Sequence, residues 1–273
     1  MRRLAIPLLR QNKAVSTAIS ALIITAVTAT LVMVVAAYAY YVLDQQRGGA
    51  EFEVAKKSIL AFDDALQDAA WKLNASRAAR FKIDFGNLLL IPDAITLNVT
   101  ATIGSSNYTL GSISTGLIKY SISTQYVTFG ANYTSYILGD SDLVVTDSTE
   151  SLGRVFIEQE SPSVYIILNY RVRAMRTSVI QVNNITVNYV SVWLIRVVTN
   201  SASHYNDFDL KAKSLSIQTN TTGPYAVTGA GYCTISVESE SEPVSPSNPP
   251  ANIWLDEGKV VFSVIVAEVR VSV

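Results

Sequence analysis

Val15 to Leu43 reads VSTAISALIITAVTATLVMVVAAYAYYVL, 29 residues without a charged side chain, a proline or a glycine, bounded by Lys13 and Asp44. At ~1.5 Å rise per residue such a helix is about 44 Å long, more than the ~30 Å hydrocarbon core of a bilayer. Its twelve Val, Ile and Leu residues contribute about −0.3 to −0.6 kcal/mol each on an insertion scale, roughly −4 to −7 kcal/mol together. The stretch therefore predicts a helix that can reside in lipid, held loosely enough for a bundle of like helices to compete for it. Arg2, Arg3, Arg10 and Lys13 precede it and acidic Asp44 follows. The positive-inside rule then puts residues 1–13 in the cytoplasm and the rest of the chain outside.

The chain has 273 residues, 49% hydrophobic and only 16% charged, with a net charge of −1. High hydrophobicity with low net charge excludes a disordered chain, and the lack of a basic excess excludes a general nucleic-acid binder. One cysteine, Cys233, and one histidine, His204, exclude an intramolecular disulfide and a His/Cys metal cluster within one chain. Much of the hydrophobicity sits in the 15–43 helix. Beyond it, Ser, Thr, Asn and Tyr supply the polarity that Lys and Glu supply in most proteins.

Three fates of the helix differ in where the chain is cut. It can be an uncut membrane anchor. It can be a secretory signal, for which Ala37-Tyr38-Ala39 offers a cleavage site, although the apolar run exceeds the usual h-region of about 7–15 residues. The third fate turns on the junction Asn12-Lys13-Ala14-Val15-Ser16-Thr17: a basic residue, a small one, then an apolar-Ser-Thr start running straight into the helix. This junction resembles the class III signal peptide of archaeal type IV pilins and archaellins. The resemblance covers about residues 10–45 and implies that a prepilin peptidase recognises Lys13, Ala14 and Val15, cuts between Ala14 and Val15, and leaves the helix on the mature chain. Bacterial pilins carry a glutamate at the fifth mature position, where this chain has Ile19; archaeal members commonly lack it.

Thr17, Ala21, Thr25 and Ala29 recur every four residues and place small side chains on one helix face, which permits close helix packing. Ser16, Ser20, Thr28 and Thr30 add hydroxyls that can bond to their own helix or to a neighbour. Tyr38, Tyr40 and Tyr41 suit an interfacial belt or the space between core helices. After Gly48-Gly49, which predicts a hinge, Phe52, Ala55, Ile59, Phe62, Leu66, Ala69 and Leu73 form one apolar stripe at spacings of three and four. Glu53 with Lys57 and Asp68 with Lys72 make i,i+4 pairs. The stripe predicts a stem docked under the following domain, with a coiled coil between subunits as the alternative.

From about Phe81 the period becomes two. In Val164 to Met175, Val164, Ile166, Leu168, Tyr170, Val172 and Ala174 share one face, and Asn169, Arg171 and Arg173 the other, the pattern of a half-buried strand. Short runs at 94–103, 117–122, 125–129, 154–158, 185–198, 214–219 and 260–273 read as further strands, and 238–250, with four prolines, as an exposed loop. The expected fold class is α+β: a long N-terminal hydrophobic helix followed by an antiparallel all-β sandwich-like domain. The expected organisation is a signal peptide at 1–14, a helix at 15–80 (membrane or filament core 15–43, stem 50–80) and a β-domain at 81–273.

Sites for chemistry are sparse. His204 reads as a solvated loop residue and Cys233 as a small buried hydrophobe. Asp140, Asp142, Asp147, Asp207 and Asp209 read as turn formers, since their spacing is not that of a calcium loop. No nucleophile elbow, P-loop or dinucleotide fingerprint occurs, so no enzymatic activity, cofactor or metal is expected. N-x-S/T sequons occur at Asn74, Asn98, Asn107, Asn132, Asn184 and Asn220, all on the exported side, and are N-glycosylation candidates; Asn74 falls within the helical stripe region. The resemblance implies a subunit of an archaeal type IV pilus-like filament serving adhesion. It also implies, as partners, identical chains, other pilin subunits, the peptidase, the membrane before assembly, and the assembly platform with its ATPase. A minor or tip pilin, an archaellin, or a membrane-anchored surface binding protein that never polymerises are the alternatives.

Overall fold

The N-terminal helix continues past its expected hinge. In the computed structural model, which describes residues 11–240 and 249–273, a single helix α1 spans Gln11–Ala70. The signal peptide at 1–14 lies outside the described residues in its first ten positions, and the 238–250 loop lies outside them between 241 and 248. The chain divides at Arg47/Gly48 into two compact units, the second being Gly48–Val273.

The helix does not break at Gly48-Gly49. Gly48 is there for proximity, since a Cβ on it would lie 2.5 Å from the ring of Tyr126; one on Gly49 would meet only the Tyr126 carbonyl at an ordinary 3.9 Å. The expected stripe is buried from Phe52 through Ala55, Ile59, Phe62 and Leu66 to Ala69. Its four large side chains each gain about 1.5–3 kcal/mol on leaving water. Leu73 is exposed instead, because the helix has ended at Ala70 and Asn74 takes a left-handed φ of 62°. The expected helix over residues 71–80 is thus replaced by a turn and the start of a strand. Asp68 meets Lys72 as expected and also Arg77 at 2.8 Å, while Glu53 pairs with Lys56 at 3.2 Å rather than with Lys57.

Among the described residues twelve strands follow: β1 (Ser76–Ile103), β2 (Ser106–Ser123), β3 (Thr134–Leu138), β4 (Val144–Val145), β5 (Gly153–Glu160), β6 (Ser163–Tyr170), β7 (Val172–Val182), β8 (Ile185–Val198), β9 (Ala202–Val227), β10 (Gly231–Ser239), β11 (Ala251–Leu255) and β12 (Gly258–Ser272). They pair in the order β3-β5-β6-β2-β1-β9-β12-β8-β7-β4, with β10 joined to β1 and β11 to β10. All pairs are antiparallel except β12 with β8 and β4 with β7. Residues 125–129, read as a strand, are a turn and irregular chain.

Two cores share these long strands. One gathers the α1 stripe with Phe81, Leu88, Ile118, Ile166 and Leu168; the other gathers Leu97, Val99, Val192, Ile235 and Phe262. The face that is buried changes partway along a strand. In β12, Val260, Phe262 and Val264 serve the second core, and then Ala267, Val269 and Val271, of opposite parity, serve the first. In β8 the change falls between Leu194 and Ile195. Successive strand side chains point to opposite faces, so β8 and β12 form a layer covered on one side at one end and on the other side at the other. β1 passes between cores at Pro92-Asp93, where its register with β2 slips between Ile91 and Ile95. Pro92 has no ladder donor and Asp93 has φ 43°, which suits a bulge that bends the strand.

The 164–175 run keeps its apolar face buried but is two strands, divided at Arg171, whose amide bonds the Leu152 carbonyl at 2.8 Å. Its polar face is not uniformly solvated. Asn169 and Arg171 are buried; Arg171 donates to Asp140 and to the Ser151 carbonyl, both at 2.7 Å, and Arg154 donates to Asn169 at 2.8 Å. Chain from residues 140–152 covers that face and supplies the Asp140 and Ser151 acceptors for the terminal nitrogens of Arg171, whose Nε is left without a partner.

Candidate functional site

The first unit is the most unusual surface of the chain. From Ala18 to Leu43 nearly every side chain is exposed, including Leu22 at 71%, Ile24 at 63%, Val35 at 65% and Tyr40 at 72%. A contiguous apolar surface of this extent marks a membrane or protein contact, and by length and composition the helix can cross a membrane. Ala21, Thr25 and Ala29 of the expected packing face are exposed on it. The side chains of Lys13, Ala14, Val15 and Thr17, the peptidase junction and the first packing position, lie outside the described residues.

The hydroxyls of Thr25, Thr28 and Thr30 turn back onto their own helix, donating to the carbonyls of Ala21 at 2.7 Å, Ile24 at 2.9 Å and Ala26 at 2.9 Å. Satisfying those donors internally lowers the cost of placing threonine in lipid. It also means that these protons are already engaged when another helix approaches.

Within the second unit two buried carboxylates hold α1 to the sheet, and neither was evident from spacing. Between Ile83 and Leu88 the register of β1 with β9 slips, releasing backbone donors. Glu51 accepts three of them, from Asp84 at 2.6 Å, Phe85 at 2.8 Å and Gly86 at 2.9 Å, together with the Tyr120 hydroxyl at 2.9 Å. Burial, then the adjacent Glu51 charge, holds the Tyr120 phenol far above its usual range, so it remains a donor.

About three turns along the same helix, Asp63 is fully buried. Gln67 donates to its Oδ2 at 2.7 Å, and Gln67 also donates to the Ser151 hydroxyl at 3.0 Å. Asp63 Oδ1 and the Tyr170 hydroxyl are close and buried, yet no hydrogen bond of ordinary geometry joins them. Burial raises the Asp63 carboxyl to about 6. Gly153 is required beside it, because a Cβ there would fall 2.1 Å from Oδ1.

The remaining expected sites are dispersed. Asn74, Asn107, Asn132, Asn184 and Asn220 are exposed, and Asn184 sits in the two-residue turn between β7 and β8 with φ 65°. Asn98 is half-buried in β1 and donates to Glu240 at 2.9 Å. Cys233 is buried in β10 and its thiol is pushed up to about 12 by burial, which leaves it unreactive. His204 and Asp207, read as loop residues, lie on β9; the His204 ring is 5.4 Å from Phe208. Asp207 and Asp209 are not in turns but face Arg80 at 3.4 and 3.9 Å. Asp140 and Asp147 do accept turn amides, from Asp142 at 2.9 Å and Thr149 at 2.8 Å. No protein-family model, curated protein or solved structure matches the chain.

Proposed function

We propose that the chain is a structural subunit of an archaeal type IV pilus-like cell-surface filament. After peptidase cleavage before Val15, the apolar helix is held in the membrane and then in a bundle of identical helices, with the β-domain outside. The carrying observation is the change in exposure along one continuous helix, bare through Leu43 and buried from Phe52. An apolar surface left bare needs lipid or other helices, and the small residues Ala21, Thr25 and Ala29 favour the close approach of helices. Glu51 and Asp63 support the reading because they fasten the helix to the domain that a filament must carry.

Adhesion or surface contact is the proposed purpose, and further subunits, the prepilin peptidase and a membrane platform with its ATPase are the proposed partners. No catalytic role or cofactor is assigned. The test is electron microscopy of sheared surface material from the native host with an antibody against the β-domain. Labelled filaments are expected; label confined to cell membranes, with none on filaments, overturns the proposal in favour of a permanent anchor.

A further inference from the structure

A polar cavity of about 590 Å³ opens where the β1–β2 turn, the β9–β10 turn and the end of β11 meet. Its volume suits a small molecule. Ile103 and Ser106 pair across the two-residue turn Gly104-Ser105, with Gly104 at φ 60°, and Gly229 in the β9–β10 turn has φ 78°. Around Gly104, Gly229 and Gly231 there is open space where side chains would stand, so backbone amides and carbonyls are accessible beside the hydroxyls of Ser105, Ser106 and Thr228.

Two further properties define the ligand. Among the described residues lining the cavity none is charged, which disfavours anions, cations and charged peptides. Two tyrosines, Tyr108 and Tyr232, are also among its lining residues, on opposite faces of the sheet: Tyr108 pairs with Ala101 on the core face, and Tyr232, next to buried Cys233, projects outward. Tyr108 is backed by Tyr225 at 4.0 Å between centroids, and Tyr225 by Phe262 at 6.1 Å. Tyr232 is 63% exposed and is braced edge-to-face by Trp254, its cross-strand partner, at 5.0 Å and 80°. A ring fixed in water by packing loses little freedom when a ligand stacks on it. Hydroxyl and amide groups beside a rigid aromatic face match a pyranose, which is apolar on its C–H face and polar around its edge.

We propose that this cavity binds a neutral carbohydrate, stacked on Tyr232 and hydrogen-bonded by the two turns. Asn107, a sequon residue next to Tyr108, projects to the face that carries Tyr232, with its Oδ1 accepting from Thr102 at 2.8 Å, so the test uses a chain whose Asn107 is unglycosylated. All the residues involved lie within Gly48–Val273, so the inference stands or falls independently of the filament proposal.

The test applies the full chain, in a detergent without a sugar headgroup, to a broad array of neutral and charged glycans, with hits measured by calorimetry. Neutral glycans are expected to bind with a Kd of about 1 mM or tighter. Tyr232→Ala should weaken binding about tenfold or more, and Ser105→Arg, at an exposed turn, should abolish it by placing a charge in the cavity. Tyr205→Ala, at an exposed tyrosine outside the cavity, should leave binding unchanged. Capture of charged glycans only, capture of none, or binding by Tyr232→Ala or Ser105→Arg as tight as that of the unaltered chain overturns the proposal.

Discussion

Glu51 of α1 and Tyr120 of β2 meet through a 2.9 Å hydrogen bond in which the phenol donates to the carboxylate. The same carboxylate accepts the amides of Asp84, Phe85 and Gly86, so one side chain both fastens the helix and repairs the β1 bulge. Glu51→Ala strands three amides and a hydroxyl, and should destabilise the second unit by about 3 kcal/mol or more. Tyr120→Phe removes one donor and should cost about 1–2 kcal/mol. Thermal unfolding of the full chain in detergent, followed by circular dichroism, checks the order; equal and small losses would show that the contact is incidental.

The adjacent glycines should respond with opposite signs. Gly48→Ala drives a Cβ into the Tyr126 ring and Cβ, and should cost about 1–3 kcal/mol. Gly49→Ala meets only a carbonyl at van der Waals distance and should stabilise by about 0.5–1 kcal/mol, the usual gain of replacing a helical glycine. Stabilisation by both would show that the Tyr126 ring does not pack against Gly48.

Those two positions show what the sequence conveys and what it omits. The stripe from Phe52 to Ala69 was legible because large apolar residues recur at three and four between charges. Gly48-Gly49 misled because glycine's local cost is visible in sequence and the Tyr126 ring, contributed from 78 residues away, is not. Ser76-Arg-Ala-Ala-Arg80 has good helix formers yet lies in β1, paired with Lys213 to Asp209 of β9, because a tertiary ladder outweighs local propensity. Glu51, Asp63, Tyr232 and Trp254 carried no motif; their roles come from elements brought together by the sheet order.

Stability should depend on pH through Asp63. Its folded value, raised to about 6 by burial, exceeds the ordinary 3.8, so the native state holds a proton that the unfolded chain releases between those values. This contribution favours folding below about pH 4 and is lost as pH rises through about 6, with a ceiling of about 3 kcal/mol. Asp63→Asn should flatten the profile in that window and raise stability at pH 7. A wild-type profile that climbs between pH 4 and 6, unaltered in Asp63→Asn, would contradict the assignment.

Glycan occupancy should follow exposure. Asn98, with its amide engaged by Glu240, should remain unmodified in native protein, whereas modification should fall among the exposed Asn74, Asn107, Asn132, Asn184 and Asn220. Site-resolved mass spectrometry decides it. Occupied Asn98, or six unmodified asparagines, would refute the pattern.

The central claim, that the bare helix is kept on the mature chain and available for assembly, is tested most directly by N-terminal sequencing of the native protein recovered from its host. The account predicts a first residue of Val15. A first residue of Met1, marking an uncut anchor, or of Tyr40, marking a removed secretory signal, would contradict it.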